Sequence, residues 1–320
     1  MRRLAIGITL LIGLGLALAG CSGGKEPTAT GKTPGPLHVL TSTFPMVLFT
    51  RSVTTGATGV SLESMLSGSM GCPHDYVLTP QDMQKIARAD VFVVNGLGLE
   101  EFLGAPVKSA NPGVRVLDTS KGITDLLKMT PEEGTEESGK EPHHHQGDAN
   151  PHLFASPRMA AKVVRNIAAQ LSEIDPSNRR VYLDNAEREA AKLEKLADEF
   201  ASAGKRLRSR KIVTEHAVFD YLARDAGLEI VAVVEETPGQ EPSAARMLDI
   251  VKLIRSSGAA AVFTEPQYPA KVAETIAKEA RVPVAQLDPA ASGPDDAPAD
   301  YYEQVMRKNL DTLKSSLGGP

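Results

Sequence analysis

The chain has 320 residues, 42% of them hydrophobic and 23% charged, a globular composition that argues against a disordered or fibrous protein. Its 35 Lys and Arg against 40 Asp and Glu leave a formal charge of −5 without a basic block, which argues against nucleic acid as a partner. Two cysteines are too few for a disulfide scaffold or a four-cysteine zinc site, so the seven histidines matter through where they sit.

The chain opens with Arg2 and Arg3 and an apolar, glycine-studded run from Leu4 to Leu18. A short positive start and a short apolar core describe a secretory signal over residues 1–20, not a membrane-spanning helix. Its end, Leu18-Ala19-Gly20-Cys21, resembles the lipobox of bacterial lipoproteins, in which the cysteine is lipidated and becomes the new N-terminus. Loss of Arg2 and Arg3 would take the basic count to 33 against 40 acidic residues, a formal charge of −7. Residues 21–36 would be a lipidated cysteine and a flexible Gly/Pro/Thr-rich tether, with the folded body outside the cytoplasmic membrane.

Leu37–Thr41 reads as the first strand. Thr79-Pro80 opens a helix that ends near Ala89-Asp90, with Thr79 as cap and Pro80 at the first helical position. Val91–Val94 is a continuous apolar run, the mark of a strand buried on both faces, and Val114–Leu117 is the next strand. Residues 130–151 are acidic, carry Gly and Pro and lack core residues, which predicts a mobile loop. Ser156-Pro157 starts a helix running to Ile174.

Tyr182, Ala186, Ala190, Leu193, Ala197, Phe200 and Leu207 then recur at three- or four-residue spacing. A helix of about 28 residues there would span roughly 40 Å, long enough for a strut between two halves. The alternating rhythm resumes with a strand at Lys211–Thr214, a helix over 217–226 and a strand at Ile230–Val234. A helix over 243–256, a strand over 260–264, a helix over 271–280 and a strand over 283–287 follow. A closing helix spans about 300–317. The expectation is an α/β fold in two halves, each a parallel sheet flanked by helices, around a long central helix.

Three histidines share a placement. His74 lies in a loop before a helix, His152 also precedes a helix, and His216 sits where a strand ends. Asp288 follows the last strand. Ligands of open parallel sheets bind at the carboxyl ends of strands. Three neutral imidazoles and a carboxylate suit a divalent first-row ion, particularly Zn²⁺. HExxH and paired CxxC motifs are absent, so tertiary structure must assemble the site.

These pieces resemble the zinc/manganese family of solute-binding lipoproteins of ABC transporters. The resemblance rests on Pro73-His74-Asp75-Tyr76 with the segment 78–103, on Asn150-Pro151-His152-Leu153-Phe154 with Ser156-Pro157, and on Thr214-Glu215-His216-Ala217-Val218-Phe219-Asp220-Tyr221. Glu241-Pro242-Ser243, Thr264-Glu265-Pro266-Gln267 and Leu287-Asp288-Pro289 complete it. It covers residues 37–317 in order. It implies an N-terminal lobe over 37–176, a rigid linking helix over 177–208 and a C-terminal lobe over 209–320, with metal in the cleft between lobes.

By motif, His74 and His152 would come from the first lobe and His216 and Asp288 from the second. Ala290-Ala291 departs from the family's usual Leu-Gly. His216 in the third position tilts the metal toward Zn²⁺, with Mn²⁺ as the alternative. His143, His144 and His145 fit a weak accessory site in an acidic loop typical of zinc-type members; incidental histidines in a solvated loop are the plain alternative. Cys72 is either a small half-buried thiol or an accessory ligand. Asp75 and Glu215 are candidates to orient an imidazole, Glu241 and Glu265 to shape the cleft or face the transporter. His38 reads as structural.

The function implied is capture of the ion and delivery to an ABC permease and its ATPase subunit by a monomer anchored through the lipid on Cys21. Four candidate ligands and no obvious base beside them describe a binding protein and not an enzyme. A zinc hydrolase would need an open position and a base such as Glu215 or Glu265. A metal-dependent adhesin or scaffold is the other alternative.

Overall fold

The apolar run Val91–Val94 is fully buried, and it lies in the middle of a sheet. The computed structural model describes residues 35–71, 73, 76–129, 149–235 and 240–318. The signal segment 1–20, Cys21 and the tether up to residue 34 lie outside the described residues, as do Cys72, His74, Asp75 and the stretch with His143, His144 and His145.

The first half holds β1 (Leu37–Thr41), α1 (Phe44–Thr54), β2 (Val60–Ser64), α2 (Pro80–Arg88), β3 (Val91–Val94), α3 (Gly104–Ala110) and β4 (Arg115–Asp118). Its four strands are all parallel, in the order β2-β1-β3-β4. α4 (Pro157–Ile174) and α5 (Arg179–Gly204) follow. The second half holds β5 (Lys211–Thr214), α6 (Asp220–Ala226), β6 (Glu229–Val233), α7 (Ala244–Ser257), β7 (Val262–Thr264), α8 (Lys271–Ala280), β8 (Val284–Gln286) and α9 (Tyr301–Leu317). Its sheet repeats the plan, parallel throughout, in the order β6-β5-β7-β8.

Helix starts follow their caps. Thr79 and Asp82 form a capping box at α2, and the Ser156 and Ser243 side chains accept backbone N–H groups at the heads of α4 and α7. α5 runs 26 residues, close to the expected length, with Asp175-Pro176 breaking the chain before it. α1 and β2 carry no clear sequence signal. Residues Phe44–Thr50 of α1 are all buried, so its polar face is missing and the 3.6-residue period does not show.

One hydrophobic cluster joins Val39, Val91 and Val93 of the first sheet to Ile212 and Phe263 of the second through α4 and α5. Smaller clusters lie beneath α2 and α3 and beneath α7 and α8. Each sheet is thus covered on both faces, as all-parallel strands require.

Candidate metal centre

In each sheet the strand order reverses direction between two neighbouring strands, β1 and β3 in the first and β5 and β7 in the second. The crevice beyond the carboxyl ends at such a switch point is where ligands bind. Glu215 and His216 follow β5, and Glu265 follows β7. Thr214 pairs with Phe263, so continuing that register sets His216 beside Glu265. His216 Nδ1 lies 2.5 Å from Glu265 Oε1, with both side chains buried. A carboxylate accepts, so the ring proton sits on Nδ1 and the nitrogen lone pair on Nε2.

His152 is placed by a different device. Ala149 bridges Lys128 antiparallel, and Asn150 N–H donates to Leu127 O at 2.8 Å. Of the predicted loop over 130–151, residues 149–151 are therefore pinned, with Asn150 only 1% exposed. Asn150 Oδ1 accepts both the His152 backbone N–H and His152 Nδ1–H, each at 2.9 Å. Here too the lone pair falls on Nε2. Asn150 Nδ2 reaches into the second half, donating to Ala217 O at 2.9 Å and Asp220 Oδ2 at 3.1 Å. Tyr221 Oη donates to Asn150 O at 2.8 Å.

Through these bonds the two imidazoles, one from each half, stand edge to face with ring centroids 5.3 Å apart. Phe154 packs against His152 and Tyr268 against His216. His152 is 1% and His216 2% exposed.

Acid groups surround the pair. Glu215 is buried and its Oε2 accepts the Glu265 backbone N–H at 2.7 Å. Burial pushes its carboxyl up to about 7 against that hydrogen bond, with the Glu265 and Glu235 charges adding to the rise. Glu215 touches neither ring among the hydrogen bonds of the described residues; it braces Glu265. Asp288 is clamped through its backbone by Asn309, which accepts Asp288 N–H at 2.9 Å and donates to Asp288 O at 2.6 Å. Burial raises the Asp288 carboxyl, and one of its oxygens accepts Ala290 N–H at 2.8 Å.

Among the described residues, no three His, Cys, Asp or Glu side chains converge closely enough to hold a metal ion. The described part of the candidate site is therefore the His152–His216 pair, with Asp288 outside that contact. Glu241 lies at the edge of the described chain. His38 is remote, hydrogen-bonded through Nδ1 to Ser61 Oγ at 2.9 Å on β1. Asn150 and Gln267 stand in the motifs that carry the resemblance but have no role assigned from the sequence, and Tyr268 lies outside those motifs, although Glu265 and Gln267 follow β7 as His216 follows β5.

Residues 39–316 match the family described as ZnuA, the periplasmic component A of the zinc-uptake complex. The chain belongs to this family. It is accordingly a solute-binding component of an ABC uptake system and acts by binding, not catalysis. It is 32% identical over 314 residues to the high-affinity zinc uptake system protein ZnuA of Bacillus subtilis, covering 97% of each chain. It is 31% identical to the zinc-binding lipoprotein AdcA of Streptococcus pneumoniae, covering 94% of this chain and spanning 58% of AdcA.

Among solved structures, the laminin-binding protein Lmb of Streptococcus agalactiae, described as both adhesin and metal transporter, superposes with a TM-score of 0.74 at 27% identity. That match covers 88% of this chain and 99% of Lmb. The binding protein FpvC of Pseudomonas aeruginosa, solved with Mn²⁺, superposes at 0.73 and 27% identity over 88% of this chain and 98% of its own. Members of the ZnuA family and its structural relatives thus carry zinc or another divalent metal as ligand.

Proposed function

We propose that the chain captures Zn²⁺ between its two halves and hands it to an ABC permease. The observation that carries this reading is the pair of buried imidazoles, one from each half, both with Nδ1 held by an oxygen. Two imidazoles with preset Nε2 lone pairs are a borderline-soft donor set suited to zinc. His74 supplies the third nitrogen in this reading, and Asp288 is the carboxylate candidate that would fill the sphere. Relatives named for zinc over nearly the whole chain support zinc over manganese.

Each ligand must be unprotonated, so capture displaces protons and acid weakens it. Residues 1–20 serve as a signal and Cys21 as the lipid anchor, which keeps the body on the outer side of the cytoplasmic membrane. Cys72 and His143, His144 and His145 are accessory groups that could hold zinc weakly near the cleft. The lobes are assigned to 37–176 and 209–320, with the linking helix between them. The permease and its ATPase subunit are the partners.

The test is metal analysis of the full chain with competitive titration of zinc against manganese. One tightly bound zinc per chain, held against excess manganese, is expected. Preference for manganese would move the assignment to the manganese alternative, and no stoichiometric metal would defeat the reading.

A further inference from the structure

The two imidazoles differ in what holds them. His152 Nδ1–H points at the neutral amide oxygen of Asn150, whereas His216 Nδ1–H points at a carboxylate. That carboxylate is itself fixed at both oxygens, and its residue through the backbone. Glu265 Oε1 accepts His216 Nδ1–H at 2.5 Å, Oε2 accepts Gln267 Nε2–H at 2.6 Å, and the Glu265 backbone N–H donates to Glu215 Oε2 at 2.7 Å. Its side chain has no exposed surface.

Gln267 in turn packs on the first half. A Cβ built on Gly71 would stand 3.2 Å from Gln267 Cγ, and Gly71 directly precedes the segment of Cys72 and His74. Glu265 thus links the His216 ring, through Gln267, to the backbone of the first half at Gly71.

We propose that Glu265 is the positioning residue for His216, holding the ring in one tautomer and one orientation and making its Nε2 the stronger of the two described donors. A carboxylate behind a metal-binding imidazole draws on the N–H bond and enriches the opposite nitrogen, and losing such a partner costs 10–100-fold in metal affinity. A neutral amide polarises the ring less, because it carries no net charge. The inference rests on the reading of His216 as a ligand.

Glu265→Gln isolates the charge, because it gives His216 the kind of partner that His152 already has. The fold should tolerate it. Gln267 Oε1 is buried and accepts no hydrogen bond among the described residues, so turning the Gln267 amide would offer that oxygen to the new NH₂ group. Zinc affinity of the full chain, measured by competition with a chromogenic chelator, should fall about 10–100-fold. The thermal midpoint of the metal-free protein should stay close to wild type. In the metal-free protein the His216 Nδ1–H proton resonance, read by nitrogen-correlated NMR, should move upfield.

Affinity within about twofold of wild type, or an unshifted resonance, would overturn the proposal. A second measurement is independent of the variant's folding: in wild type, NMR should find the His216 proton on Nδ1, and a proton on Nε2 would overturn the proposal. His216→Ala separates the two levels. If it loses zinc while Glu265→Gln does not, the positioning role fails and the ligand reading stands. If His216→Ala itself keeps zinc, the ligand reading fails first.

Discussion

At Glu100, burial competes with hydrogen bonding. Its carboxylate accepts Ser42 Oγ at 2.6 Å, Asn95 N–H at 2.7 Å and Gly96 N–H at 3.2 Å, all at the carboxyl edge of the first sheet. Burial outweighs these three donors and pushes the group from 4.5 up to about 7. The folded state therefore holds this proton more tightly than the unfolded chain, so the contribution is fully present below about pH 4.5 and is lost as pH rises through about 7. Glu100→Ala would leave two buried donors and one half-buried donor unmet and should cost about 3 kcal/mol near pH 5. Urea midpoints should show the gap to wild type narrowing toward pH 8; a gap that widens would contradict the sign.

His152 and His216 were legible in the sequence because each sits where a strand or turn feeds a helix. Asn150 was not, because its work is done by bonds to Ala217 and Asp220, about 70 residues away in the chain. Ala290, which stands where the family's pattern has Leu, is fully buried two residues after Asp288 with φ of 58°, a left-handed conformation that costs a non-glycine residue about 1 kcal/mol.

α5 is the element on which the two halves are built. Asn185 on it donates to Val53 O and Thr55 O at the end of α1, each at 2.8 Å. At its other end Gly204 meets α6 so closely that a Cβ would stand 1.7 Å from Ala226 O. The obstacle is backbone, which has nowhere to turn. Gly204→Ala should therefore destabilise the protein by more than about 2 kcal/mol, despite alanine's better helix propensity. A rise in the denaturation midpoint instead would show that α5 and α6 are not in this contact.

The long helix was readable from its spacing and the Pro before it. The sequence predicts α6 from Ala217, but it starts at Asp220, because residues 215–217 are held by tertiary bonds. Glu215 binds the Glu265 backbone, His216 the Glu265 side chain, and Ala217 O accepts from Asn150. Local propensity carries no trace of such bonds. α1 was missed for the opposite reason, since it is too thoroughly buried to look amphipathic.

Across the whole molecule, α5 is only one of several ties between the halves. Tyr302 Oη of α9 donates to Phe154 O at 2.7 Å, two residues after His152. Gly68 N–H donates to Asp295 Oδ1 at 2.9 Å, Gly293 N–H to Gly68 O at 2.8 Å, and Arg51 to Ala297 O at 2.7 Å. These ties join the two halves on both sides of the His152–His216 pair. The alternation of strand and helix made two parallel α/β halves legible. The strand orders and the bonds that bring His152 to His216 depend on contacts between distant segments, which no local pattern encodes.

The central claim is that one ion is shared by histidines from both halves. The most direct measurement is competitive zinc titration of the full chain beside His74→Ala, His152→Ala and His216→Ala, near pH 7 and again near pH 5. Wild type should bind a single high-affinity zinc that weakens at the lower pH as imidazoles take up protons. Each variant should lose at least about 100-fold in affinity, since each removes a nitrogen donor from one coordination sphere. Wild-type affinity retained in His152→Ala and His216→Ala together would contradict the central claim.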